Sequence, residues 1–158
     1  MTLRPVQAKS APAQEADASL RMKDLLGLAR APSSRLDAHD MLVKGLPNRT
    51  LKHLFDRLAV LRNEPSFEAA MGMSQRTFQR RRDEPGRLNL DQSDRAWKLA
   101  EMLSKATRVF GSLEAAERWM ASPAMGLDHR KPIDLLATSA GFEMVDIFLT
   151  RLEYGVYT

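Results

Sequence analysis

Every segment of this chain with a clear apolar pattern carries a helical one. None alternates apolar and polar residues long enough to form a convincing strand. Leu51, Leu54, Phe55, Leu58 and Leu61 recur at i, i+3, i+4, i+7 and i+10, with Asn48 placed to cap the stripe after Pro47. Ala96, Leu99, Ala100, Leu103, Ala106 and Phe110 mark a longer helix from Asp91 to Phe110, closed by Gly111. Shorter helices are expected from Ser19 to Arg30, over Leu36–Lys44 before Gly45, over Phe67–Met71 capped by Ser66, and over Leu113–Ala121 capped by Ser112. Pro132 opens another that runs to Thr138, Gly141 punctuates, and a last helix spans Phe142–Glu153 with Phe142, Val145, Phe148, Leu149 and Leu152 turned inward. The expected fold is all-α: a helix-turn-helix bundle followed by a small helical module.

One stretch points to chemistry. Met71 to Arg82 reads as the end of a short apolar helix, a turn at Gly72, a cap at Ser74, and a second short helix loaded with arginine and glutamine. A recognition helix lies in the major groove with its first residues at the base edges. Gln75, Arg76 and Gln79 suit bases, since glutamine pairs bidentately with adenine and arginine with guanine. Ser74, Thr77, Arg80, Arg81 and Arg82 complete the candidate DNA-binding set, the arginines toward phosphates. Phe78 is expected to point inward. Asp83 and Glu84 follow directly and dilute the positive field. The same pattern also fits a solvated basic helix in a bundle.

Charge is distributed unevenly. Residues 1–112 carry 20 Lys/Arg against 13 Asp/Glu, a net of +7, whereas residues 113–158 carry 4 against 7, a net of −3. A basic body suits a polyanion and an acidic last third suits something else. Cysteine is absent, which removes disulfides, thiolate metal sites and a thiol nucleophile. His39, His53 and His129 lack metal-ligand spacing, and no phosphate-cradling glycine loop or nucleophile elbow is present. These absences argue against an enzyme and leave no cofactor or metal to assign. No apolar run is long enough to cross a bilayer, and the N-terminus lacks the apolar stretch of a signal peptide. Residues 1–18, rich in Ala, Pro, Gln and Ser, are expected to be a disordered arm. At the other end Tyr154, Val156 and Tyr157 follow the last helix. They either pack back on the module or enter a partner.

From Gly45-Leu46 onward the residues resemble the Xre/MbcA/ParS family of bacterial antitoxins. The motifs that carry the resemblance are Met73-Ser74-Gln75-Arg76-Thr77 with Arg81-Arg82, then Leu90-Asp91-Gln92-Ser93-Asp94-Arg95, then Ala115-Ala116-Glu117-Arg118-Trp119-Met120 and Pro123. Lys131-Pro132-Ile133-Asp134-Leu135-Leu136-Ala137-Thr138, Gly141 and Arg151-Leu152-Glu153-Tyr154-Gly155-Val156-Tyr157 complete the set. Gly126 to Arg130 depart from the tighter glycine turn usual in the family. The resemblance implies a cytoplasmic antitoxin of a type II toxin–antitoxin operon. Its Xre-like domain would serve autoregulation and self-association. Its C-terminal domain would hold a RES-type toxin that degrades NAD or uses it to modify a target. Carried onto this chain, the toxin-binding residues implied are Lys131, Gly141, Arg151, Glu153, Tyr154, Gly155 and Tyr157. A cleft that binds a dianionic pyrophosphate is expected to be electropositive and to attract an acidic module.

The domains expected are the arm 1–18, the helix-turn-helix domain 19–110 and the toxin-binding domain 111–158. The partners expected are a cognate RES-type toxin, operator DNA and a second copy of the chain, with no membrane. The alternative is a stand-alone DNA-binding regulator whose C-terminal module dimerises or senses a ligand.

Overall fold

The computed structural model describes residues 21–155. The expectations for the arm 1–18, Ser19, Leu20, Val156 and Tyr157 lie outside the described residues. Among the described residues nine α-helices follow in order: α1 (Met22–Leu26), α2 (Arg35–Lys44), α3 (Arg49–Arg57), α4 (Phe67–Ala70), α5 (Gln75–Asp83), α6 (Leu90–Phe110), α7 (Leu113–Met120), α8 (Pro132–Leu135) and α9 (Ser139–Glu153). Short 3-10 turns occupy Leu61–Asn63 and Met125–Leu127. No strand occurs among the described residues, so the all-α expectation holds.

The 21-residue α6 organises the molecule. Asn89 and Gln92 form a reciprocal capping box at its start: the Asn89 side chain accepts from the Gln92 amide at 2.8 Å, and the Asn89 amide donates to Gln92 Oε1 at 3.2 Å. Ala96, Leu99, Ala100, Met102, Leu103 and Ala106 are buried around more than one face. Helices α1, α2, α7 and α9 all pack on it. Its alanines let those neighbours approach closely. Each fully buried leucine contributes about 1.5–3 kcal/mol. Two aromatic groups mark the halves of the core. Phe55 and Phe67 flank Phe78 in the first. Phe110, Trp119 and Phe148 stack in the second.

Several local expectations are corrected. The first helix stops at Leu26 rather than Arg30, because Gly27 turns left-handed (φ 61°) and the Leu28 amide closes onto Lys23 O at 2.9 Å. α3 ends at Arg57; Leu58 and Leu61 are buried but lie beyond it, Leu61 in a 3-10 turn. Asn48 opens α3 without capping it: its backbone is already helical (φ −55°, ψ −32°), and its side-chain amide donates to the Glu84 and Pro85 carbonyls at 3.4 Å. Ser66 does not cap α4; its hydroxyl donates to the Asp134 carboxylate. α8 ends at Leu135 rather than Thr138, and Thr138 instead caps α9, which starts at Ser139. Gly141 therefore lies inside the last helix, not ahead of it. The Gly126–Arg130 segment is a 3-10 turn followed by left-handed Asp128 and His129 (φ 57° and 58°), closed by a bridge between Ala124 and Arg130.

The two halves are joined by specific polar contacts as well as by α6. Beyond α3 the amides of Val60 and Leu61 have no helical acceptor, and the buried Glu117 of α7 takes both on Oε1, at 3.0 and 3.1 Å. Burial pushes the Glu117 carboxyl above its ordinary range; the two amides oppose the shift and nearby Glu114 adds to it. A carboxyl with a folded-state pKa above its unfolded one binds its proton more tightly in the fold. Its stabilising contribution is complete below the ordinary carboxylate range and is lost as pH rises through the raised value. Glu117→Gln keeps the acceptor and removes the charge. We expect this variant to melt above the parent at neutral pH and to match it at pH 4, as thermal scans across pH would show. A variant that melts below the parent at neutral pH would overturn this account.

Candidate nucleic-acid interface and partner surface

The helix-turn-helix is built from α4, a turn at Gly72 and α5. Gly72 is left-handed (φ 71°) and its Cα faces the Arg95 side chain, where a Cβ would stand 2.7 Å from Arg95 Cδ. Ser74 caps α5, accepting the Thr77 amide at 3.1 Å and donating to Thr77 Oγ1 at 2.9 Å. Phe78 is fully buried, edge-on to Phe67 at 5.4 Å. This anchoring fixes what α5 presents. Gln75, Arg76, Gln79 and Arg80 are exposed together with Ser74, while Thr77, Arg81 and Arg82 are half-buried. Arg82 lies over the Phe55 ring at 4.5 Å and pairs with Asp83 at 3.6 Å. It is the arginine of the three that is held against the protein by contacts of its own. Gln75, Arg76 and Gln79 thus form one solvated face of donors and acceptors, with Arg80 beside it.

The expected partner residues are dispersed by the fold. Tyr154 is 77% exposed at the end of α9, with Arg151 and Gly155 also exposed. Glu153 is exposed but pairs with Arg108 of α6 at 3.1 Å. Lys131, at the start of α8, pairs with Glu64 at 3.2 Å and so ties the module to the first half. Gly141 is buried against the α8–α9 corner, its amide donating to Thr138 Oγ1 at 3.0 Å. Its part in any interface is to set the placement of α9. Tyr157 lies outside the described residues.

Met144 and Ile147, which the sequence pattern does not single out, are exposed on α9 one turn apart. With Arg151 and Tyr154 they recur at i, i+3, i+7 and i+10, a single stripe on the outer face. Met125 is exposed in the adjoining turn, which packs on α9. The signal was present in the sequence. Residues 142–152 hold more apolar side chains than one inward face can bury, and Phe142, Val145, Phe148, Leu149 and Leu152 already fill that face. On the inner side Lys105 of α6, largely buried, pairs with Asp146 at 2.6 Å and donates to the Thr150 hydroxyl, which fixes the rotation of α9 about its axis. Ser66 to Asp134 ties α8 to the start of α4, and Arg95 of α6 donates to the Ala137 carbonyl (3.3 Å) in the loop after α8. No helix of the described residues is long and apolar enough to cross a membrane.

Comparison with known proteins finds two family models along the chain. Residues 37–101 match the antitoxin Xre-like helix-turn-helix domain, and residues 105–155 match the antitoxin Xre/MbcA/ParS C-terminal toxin-binding domain. The first match ends and the second begins within α6. Antitoxin Xre of Yersinia enterocolitica is 36% identical over 90 residues, covering 56% of this chain and 61% of the relative. Antitoxin Xre of Pseudomonas putida is 33% identical over 74 residues, covering 47% of this chain and 45% of the relative. The aligned stretches thus span roughly half the length of these relatives. With both domain types of the family present in order, over residues 37–101 and 105–155, and two proteins named antitoxin Xre among its relatives, the chain belongs to the Xre/MbcA/ParS antitoxin family.

Proposed function

We propose that this protein is the antitoxin of a type II toxin–antitoxin pair in the cytoplasm. Residues 111–158 hold a RES-type, NAD-consuming toxin and obstruct its active site. Residues 19–110 repress the operon by binding its operator as a two-fold pair through α5. The observation that carries this reading is the outer face of α9. Met144, Ile147 and Tyr154 stand exposed in one stripe, inside the segment matched by a toxin-binding domain. Exposed apolar stripes of this kind mark protein interfaces. The acidic balance of the last third suits an electropositive cleft.

The test is co-expression with the toxin reading frame expected beside this gene. Growth rescue, a co-purifying complex and preserved cellular NAD are the expected results. Ile147→Glu, an exposed position, should weaken the complex by about 2 kcal/mol, some thirtyfold. Tyr154→Ala with Tyr157→Ala should impair neutralisation. Full rescue by all these variants would overturn the assignment of this face. For the operator, Arg76→Ala and Gln79→Ala should each cost about 1–3 kcal/mol on the cognate site and relax base preference, whereas Arg80→Ala should mainly reduce the salt dependence. Gel shifts on the upstream promoter across salt read both effects.

A further inference from the structure

Three side-chain polar atoms are buried without a hydrogen-bond partner among the described residues: Asn48 Oδ1, Thr50 Oγ1 and Ser104 Oγ. Such groups are rare in folded proteins and each calls for a partner. Thr107, on the same helix, satisfies its hydroxyl by donating to the Leu103 carbonyl one turn back, at 2.7 Å. Ser104 is 5% exposed and makes no such bond to the Ala100 carbonyl. It lines a cavity of about 550 Å³, inside the span of small-molecule sites, about 300–1,000 Å³. The walls come from α6, from α1 with the Ala31–Pro32 segment that follows it, and from Asp146 of α9. On α6, Trp97, Glu101, Ser104, Lys105 and Arg108 recur at i, i+4, i+7, i+8 and i+11, one face of the helix. Two of the cations there are taken, Lys105 by Asp146 at 2.6 Å and Arg108 by Glu153 at 3.1 Å. Three kinds of group are not. Among the described residues the Glu101 carboxylate has no ion pair or hydrogen bond, and the Arg21 and Lys23 side chains have no ion pair. The half-buried Trp97 ring has no aromatic or cationic neighbour, whereas Trp119 is stacked on Phe148.

We propose that this cavity binds a guanine nucleotide, with its ring against Trp97, its phosphate on Arg21 and Lys23, and its base edge on the Glu101 carboxylate. Each part of the ligand answers one unpartnered group. A flat ring suits an indole that is not already stacked, beside the apolar Met22 and Pro32. Two cations from consecutive turns of the α1 start suit a phosphate. Glu101 rules out a plain anion. An ionised carboxylate only accepts, so it repels an anion and demands N–H donors. The ligand must therefore carry charge for α1 and donors for α6. Guanine presents a ring N–H and an amino group side by side, which match the two oxygens of one carboxylate. Adenine and cytosine set their amino group beside an acceptor nitrogen, and uracil has a single N–H between two carbonyls. The Ser104 hydroxyl, able to donate or accept, meets a ring or ribose heteroatom and loses its unpaired state. The cavity is also too large for inorganic phosphate alone to fill. Because α1 and α9 both reach α6 at this place, an occupied site fastens the first and last helices to the same stretch of α6. The inference does not rest on the proposed function.

Isothermal titration of the whole chain with GMP, UMP and inorganic phosphate is the test. GMP should bind one to one, about tenfold or more tighter than either of the others. Glu101→Ala should bring GMP down to the level of UMP and leave UMP itself no weaker. Arg21→Ala with Lys23→Ala should weaken both nucleotides about tenfold or more. Circular dichroism of these variants should match the parent. GMP should also quench tryptophan emission, and Trp97→Phe should abolish the quenching while retaining most of the binding, which locates the ring. GMP and UMP binding alike, phosphate binding as tightly as GMP, or no heat up to millimolar GMP overturns the proposal. So does guanine that binds only within an oligonucleotide and is indifferent to Glu101→Ala. None of these readouts involves a toxin or an operator, so the proposed function stands or fails on its own tests.

Discussion

Gly141→Ala destabilises the chain by about 3 kcal/mol and lowers its melting temperature by roughly 6–12 °C. A Cβ at this position would stand 2.0 Å from the Leu135 carbonyl oxygen, 2.8 Å from its carbon and 3.0 Å from the Leu135 Cα. The obstacle is backbone, so no rotamer change relieves it. The corner between α8 and α9 cannot open cheaply either, because the Gly141 amide is itself the donor to the Thr138 cap at 3.0 Å. Moving α9 outward also strips the Lys105 contacts to Asp146 and Thr150 that fix its rotation. Thermal unfolding should show the loss, and hydrogen exchange should place it first in α8 and α9. Interface variants such as Ile147→Glu should leave stability within about 0.5 kcal/mol, as exposed substitutions usually do. A Gly141→Ala chain that melts with the parent would mean that the corner is looser than its packing implies.

What the sequence made legible follows the range of each interaction. Ser74 and Ser112 were readable as caps because their partners, the amides of Thr77 and Ala115, stand three residues away. Asn48 and Ser66 have the same chemistry and do not cap: both have helical rather than extended backbone, and their side chains are turned to donate at long range to the carbonyls of Glu84 and Pro85 and the carboxylate of Asp134. Gly141 looked like punctuation, yet the reason for glycine is the approach of Leu135, which only the tertiary fold supplies. The exposed face of α5 was legible for a local reason, since one buried anchor, Phe78, sets the rotation of the whole helix. The outer face of α9 was not singled out. A residue count can show that α9 holds too many apolar side chains, but only the packing of Lys105 against Asp146 shows which ones are left outside. Lys131 and Arg82 make the same point for charge. Both look free in the sequence, and Glu64, Asp83 and the Phe55 ring occupy them.

Phe78→Ala should cost about 3–5 kcal/mol, the range for removing a fully buried ring. The ring lies at the junction of three elements, edge-on to Phe67 of α4 at 5.4 Å and tilted against Phe55 of α3 at 5.9 Å. Such pairs contribute about 0.5–1.5 kcal/mol beyond burial. Its removal also frees Phe55, the ring on which Arg62 and Arg82 rest. Denaturant midpoints should fall accordingly. The functional signature should differ from that of the exposed residues. Gln79 and Arg76 keep their chemistry but lose their common orientation, so operator affinity should drop at every salt concentration and base preference should weaken along with stability. Phe78→Leu, which keeps most of the volume, should cost less than about 1.5 kcal/mol and retain preference. If Phe78→Ala instead kept both stability and base choice, the anchoring role of the ring would be wrong, and α5 would owe its orientation to the Ser74 cap and the Gly72 turn alone.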